Sequence, residues 1–151
     1  MGIAIDNSAR EVAVVDVAMK KLQIYARSTD GMSLTAVRSI LGSATGLAPS
    51  ATALDTKNQE ILVLNGGVSI TAYATAASGN VAPVRTLTFL KPADATVDTR
   101  QGIIVDTETD EIFVTNQSRN SIEVYARTGD GQVMPTRTIS GPLTGLSQPT
   151  G

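Results

Sequence analysis

The amino-acid sequence predicts an all-β chain built of β-propeller blades, three four-stranded antiparallel blades in 151 residues. Three observations carry this prediction. The chain repeats itself at a period of about 50 residues, a range that belongs to solenoids, propellers and arrays. Each repeat divides into four short apolar or alternating runs separated by polar, Gly-containing turns. Helical periodicity is absent throughout.

The repeat is exact enough to set a register. Gly2-Ile3-Ala4-Ile5-Asp6 returns as Ala51-Thr52-Ala53-Leu54-Asp55 and as Gly102-Ile103-Ile104-Val105-Asp106, and each Asp is followed by Glu11, Glu60 or Glu111 opening an apolar run. Each unit then reaches a Tyr-Ala pair (Tyr25, Tyr73, Tyr125), a Gly (Gly31, Gly79, Gly131) and an Arg (Arg38, Arg85, Arg137). Residues 1–50, 51–101 and 102–151 are therefore three blades of one half-propeller domain.

In the third unit, Gly102 to Asp106 reads as a first strand and Glu111 to Thr115 as a second. Ser121 to Ala126 alternates with the period of two of a half-buried strand, and Val133 to Ser140 reads as a fourth strand, whose Pro135 belongs on a sheet edge. The first unit places strands near Gly2–Asp6, Glu11–Val15, Lys21–Ala26 and Leu34–Leu41. The second places them near Ala51–Asp55, Glu60–Leu64, Ser69–Ala74 and Ala82–Phe89. Small residues on the first strands (Gly2, Ala4, Ala51, Ala53, Gly102) suit the crowded axis of a propeller. The second unit departs from its neighbours twice, with a tighter Gly66-Gly67 turn and a longer connection around Lys91-Pro92-Ala93-Asp94. A variant loop is a place for a specific site or simply drift.

Composition excludes much chemistry. Content of 42% apolar and 17% charged residues belongs to a soluble globular chain. Twelve basic against fourteen acidic residues leave a net charge of −2 without a single-sign run, so nucleic acid and anionic membranes are disfavoured partners. No Cys and no His are present, which removes thiolate nucleophiles, zinc–thiolate sites, His-activated nucleophiles and an imidazole proton shuttle. No cofactor is expected. No apolar run reaches the roughly 18 residues of a membrane span, and the start of the chain does not read as a signal peptide.

The segments Val14-Val15-Asp16 to Leu22-Gln23-Ile24-Tyr25 and Val114-Thr115-Asn116 to Ser121-Ile122-Glu123-Val124-Tyr125 resemble the NHL repeat, with Asp or Asn at the turn between second and third strands and an aliphatic strand ending in an aromatic. Asn65 with Gly66-Gly67 departs from the usual spacing. The resemblance implies a β-propeller, commonly six-bladed, that binds proteins, RNA or small molecules. Related six-bladed propellers are similar to calcium-dependent lactonases, and that alternative would use Asn65, Asn116 and Asp16 as ligands, without an obvious matching Glu.

Three blades cannot close a ring, and end blades expose apolar faces that usually mark an interface. The residues Pro149-Thr150-Gly151 would lead into Ile3-Ala4-Ile5-Asp6 as Pro49-Ser50 leads into Ala51, with Gly151 at the register of Gly2. The expected partner is therefore the chain itself, two copies closing a six-bladed ring head to tail, with three copies as the other closure. A piece of a longer ring accounts for the same boundaries.

Loops between second and third strands share a face with the blade-joining loops. That face carries Asp16, Lys20, Asn65, Asn116, Arg119 and Asn120, with Arg100 on the long blade-joining loop. They are the candidate ligand-binding residues for a protein or small molecule; no catalytic and no metal residue is assigned. Asp and Asn at such turns also cap backbone N–H groups, and Lys20, Arg100 and Arg119 are also explained as solvated charges. Asp6, Asp55 and Asp106 either form a ring suited to a cation or bond their own hairpins. The three Tyr residues either stack on bases or pack between blades, and no basic stripe accompanies them. Arg38, Arg85 and Arg137 are expected to pair with neighbouring carboxylates.

Overall fold

The computed structural model describes residues 2–90 and 98–151, so the variant stretch at Lys91-Pro92-Ala93-Asp94 lies outside the described residues. The fold is all-β, with three sheets whose four main strands are antiparallel. The first contains β1 (Ile3–Asp6), β2 (Glu11–Asp16), β3 (Lys21–Arg27) and β4 (Leu34–Ile40), hydrogen-bonded in that order. The second contains β5 (Pro49–Asp55), β6 (Glu60–Asn65), β7 (Ser69–Ala74) and β8 (Arg85–Phe89). The third contains β9 (Arg100–Asp106), β10 (Glu111–Asn116), β11 (Ser121–Ala126) and, at its edge, β13 (Arg137–Ile139).

A short β12 (Gly131–Val133) corrects the sequence reading. Val133 was expected in the fourth strand of the third unit, but β12 leaves its own sheet and pairs in parallel with β8, with Gly131 opposite Leu87 and Val133 opposite Phe89. Pro135 explains the break, since it has no N–H to give a ladder, and Gly131 turns the chain with a left-handed φ of 68° that a side chain would resist. The second unit does the same in miniature: Gly79, φ 77°, forms a single parallel bridge to Ile40 of β4. Each sheet after the first thus lends a segment to the edge of its predecessor.

The first hairpin of every unit is set by its Asp. The Asp6 carboxylate accepts from the N–H groups of Ser8 and Ala9 (2.8 and 2.9 Å), Asp55 from Asn58 (2.9 Å), and Asp106 from Glu108 and Thr109 (2.8 and 3.3 Å). Four residues on, Arg10, Gln59 and Asp110 all adopt φ of 56–57° to re-enter the ladder. These bonds satisfy turn donors that strand pairing leaves unused.

First strands pack side by side, β1 on β5 and β5 on β9. A Cβ on Gly2 would lie 2.5 Å from Thr52 N, and one on Gly102 would strike Gly151, so small residues here are required by backbone approach. Gly151 meets Gly102 much as Ala51 meets Gly2. Two apolar cores fill the spaces between sheets. Ala13, Val15, Leu22, Ile24 and Ile40 face Ile61, Val63 and Tyr73; Leu62, Leu64, Ile70 and Leu87 face Ile112, Val114 and Tyr125. Tyr73 and Tyr125 are thus buried between sheets, and each large aliphatic side chain so covered contributes about 1.5–3 kcal/mol. Among the described residues no helix is long and apolar enough to cross a membrane.

Candidate functional site

Arg100, which the sequence placed in a loop, is the first residue of β9, because β9 starts two residues before the expected Gly102. Strand pairing draws it inward opposite Asn116. There it is buried and its side chain is fully engaged. Its Nε and Nη2 donate to the Glu123 carboxylate (2.6 and 3.2 Å), Nη2 lies 3.2 Å from Asp98, Nη1 donates to the Gly67 carbonyl (3.0 Å), and the guanidinium lies 4.3 Å over the Phe89 ring. Asn116, also buried, donates to both Asp98 and Glu123 (3.0 and 2.9 Å), and Arg119 reaches Asp98 at 3.1 Å. Two guanidinium and two carboxylate groups therefore neutralise one another. The Tyr125 hydroxyl closes the network by donating to Glu123 (2.7 Å).

Ionisation in this cluster follows from its contacts. Burial pushes the Asp98 carboxyl up, but the Asn116 hydrogen bond and the charges of Arg100 and Arg119 outweigh it and hold it below the ordinary carboxylate range. Burial disfavours the Arg100 cation, and its bonds to Glu123 more than restore it. The Tyr125 phenol is pushed far up by burial and then by Glu123, so it stays protonated as a donor. A cavity of about 290 Å³ adjoins the cluster, lined by Leu90, Ser121, Glu123, Met134 and Thr138 among others. Among the described residues the Ser121 hydroxyl, buried there, has no hydrogen-bond partner.

The other four candidates are spread around the same kind of turn. Asn65 ends β6 and is buried; its Oδ1 accepts from Ala48 N (2.9 Å) and its Nδ2 donates to Thr71 (2.9 Å). The Asp16 carboxylate accepts from Met19 N (2.9 Å) and stands 3.9 Å from Lys21. Lys20 and Asn120 hold equivalent left-handed positions, both at φ 48°, and Asn120 accepts from Gln148 N (2.7 Å). Arg100, Asn116 and Arg119 are brought together; Asp16 and Lys20 remain on the first sheet. Among the described residues no three Asp or Glu side chains gather as a cation site.

Glu123 was not among the candidates. The signal for it was present, since Glu123 stands where the repeat has Gln23 and Thr71. The repeated Arg residues do pair as expected: Arg38 with Glu11 in two bonds of 2.6 Å, Arg85 with Glu60, and Arg137 with Glu111.

The second feature of functional weight is the pair of end faces. Three residues of the outermost strands occupy one register: Ile40 opposite Leu22, Leu87 opposite Ile70, Ile139 opposite Ile122. Ile40 and Leu87 are 0% and 2% exposed, whereas Ile139 is 39% exposed. At the other end Ile3 and Ile5 are exposed, and Tyr25 and Val14 are half-buried where Tyr73, Tyr125, Val63 and Val114 are sealed. Val12 and Val124 are exceptions, buried even on the end sheets.

No family model matches the chain, and no curated protein matches it. Solved structures do. Hsv2 of Kluyvelomyces marxianus, a β-propeller, aligns with a TM-score of 0.59 at 10% identity, over 92% of this chain and 41% of that one. The chain thus spans less than half the length of this neighbour. Three sheets of four or five strands and this alignment give the chain a propeller-like all-β fold.

Proposed function

We propose that the chain is a non-enzymatic, NHL-like propeller scaffold whose three blades bind a second copy head to tail, completing a six-bladed ring. The observation that carries this reading is the contrast at one repeated position. Ile40 and Leu87 are sealed by the sheet that follows them, and among the described residues no sheet covers Ile139. A face built like an internal junction and left bare fits another face of the same kind, and the chain carries that complement on its first sheet. The alignment with two-fifths of a propeller chain accords with a partial ring.

The binding role is supported by the polar cluster. Arg100, Asn116, Glu123 and Asp98 pair with one another, which favours a rigid ring mouth over a poised catalytic group, and the adjoining cavity with the Ser121 hydroxyl offers a small polar ligand a place. Asp16, Lys20, Asn65, Arg119 and Asn120 would stand around the same mouth in two copies each. Light scattering over a micromolar concentration series tests the assembly. The expected mass is twice the 15.7 kDa of one chain; a stable single chain throughout rejects the ring.

A further inference from the structure

The contact that holds two copies together can be named, on the footing of the self-assembly just proposed. Arg127, two residues beyond Tyr125, crosses from the third sheet to the second: its Nε lies 3.5 Å from Asp55 and its Nη1 3.4 Å from Glu60, with Asp110 of its own sheet at 3.1 Å. Asp55 and Glu60 flank the β5–β6 turn, so this guanidinium ties one sheet to the turn of its predecessor. At the other internal junction the crossing runs in the opposite direction, with Arg38 donating to the Thr75 carbonyl at 2.6 Å. Each junction has a guanidinium crossing at this level.

Arg27 stands two residues beyond Tyr25, in the register of Arg127, but among the described residues no sheet precedes its own. Its Nη2 donates to Asn7 at 3.0 Å, and its buried Nε has no hydrogen-bond partner among the described residues. The carboxylates in the register of Asp55 and Glu60 at the far end of the chain are Asp106 and Glu111. Among the described residues no guanidinium crosses to them from a following sheet, and Lys57 of the second sheet acts on Asp106 through its charge alone. Arg137, which pairs with Glu111, has a side chain 50% exposed where Arg38 and Arg85 are 19% and 15%.

We infer that Arg27 of one copy pairs with Asp106 and Glu111 of the second, as Arg127 pairs with Asp55 and Glu60. The charges balance, two guanidinium groups against two carboxylates once Arg137 is counted. A main-chain contact accompanies the latch. Gly79 and Gly131 stand beside Ile40 and Leu87, the same position of successive outer strands, and Gly31 has the same left-handed conformation, φ 73°. Gly31 is thereby placed beside Ile139 of the second copy, adding a parallel rung to its β13. Within a single chain the Gly31 N–H donates to the Ser28 carbonyl at 3.0 Å, and that bond is exchanged for one across the junction.

A mixing experiment tests the latch. Arg27→Glu and Glu111→Lys should each weaken self-association at least tenfold in sedimentation equilibrium, because both junctions of the ring then set like charges together. An equimolar mixture should recover the two-chain mass, since one junction is then wild type and the other is charge-reversed but complementary. Arg27→Lys, which keeps the charge, should associate more tightly than Arg27→Glu, and this comparison stands if Glu111→Lys fails to fold. If the wild type forms the two-chain species and Arg27→Glu does so equally well, or the mixture does not recover, the latch is wrong while the ring survives. If the wild type is itself a single chain, the ring falls and the latch with it.

Discussion

Replacing Arg100 by Met tests whether the buried polar cluster is a structural tie between the second and third sheets. The substitution preserves much of the apolar stem but removes both bonds to Glu123, the bond to Gly67 and the cation over Phe89. Breaking a buried ion pair by removing one member costs about 3–5 kcal/mol, chiefly because the other charge stays buried. Here the stranded carboxylates keep some support. Glu123 retains donors from Asn116 and Tyr125, and Asp98 those from Asn116 and Arg119. The lower end, about 3 kcal/mol, is therefore expected, a large share of the 5–15 kcal/mol typical of a domain. For a chain of this length that corresponds to a melting temperature lower by roughly 6–12 °C. Urea denaturation followed by far-ultraviolet circular dichroism measures it, and adding Glu123→Gln should restore more than about 1 kcal/mol by removing the uncompensated charge. A loss below about 1 kcal/mol for Arg100→Met, or no recovery in the double variant, would refute the argument.

Two further outcomes follow from the sheets and their turns. Leu87→Ala should destabilise the chain by about 2–4 kcal/mol, because it opens a cavity between the second and third sheets, whereas Ile139→Ala, in the same register but half-covered, should cost less than about 1 kcal/mol at concentrations where the chain is single; urea titration of both variants compares them. Asp6, Asp98, Asp106 and Glu111 all have pKa values lowered, by hydrogen bonds within turns, by Asn116 at Asp98, or by Arg partners. A carboxylate with a depressed folded-state pKa stabilises above its unfolded value and loses that contribution as pH falls through the folded value. Stability should accordingly decline below the ordinary carboxylate range and stay flat between about pH 6 and 8, where a chain without His has no side chain titrating at its usual pKa; a midpoint shift of several degrees within that window would contradict this.

The repeat made the sheets legible because local chemistry and global fold agree within each unit. Asp6, Asp55 and Asp106 mark hairpins whose donors they satisfy, and alternation in Ser121–Ala126 sorts core from surface. The same information failed where a segment serves a neighbour. Nothing in Gly131–Val133 distinguishes an edge strand of its own sheet from one added to β8, since the deciding partner lies about 44 residues earlier in the chain. Arg100 was missed as a buried residue for a similar reason: its charge argues for solvent, and only the approach of Glu123, Asn116 and Gly67 reverses that preference. Asn65 and Asn116 were correctly sited at strand ends, but their inward bonds to Ala48, Asp98 and Glu123 depend on tertiary approach.

The loan of β12 to the second sheet means that hereditary and mechanical modules do not coincide. A cut between residues 101 and 102 would look clean in the duplication pattern, yet it would strip the preceding layer of its outermost lamina and bare Leu87 and Phe89. Duplication or loss of one unit is therefore felt by the layer before it, and such a chain grows more safely by adding units at the end that already lacks a lender.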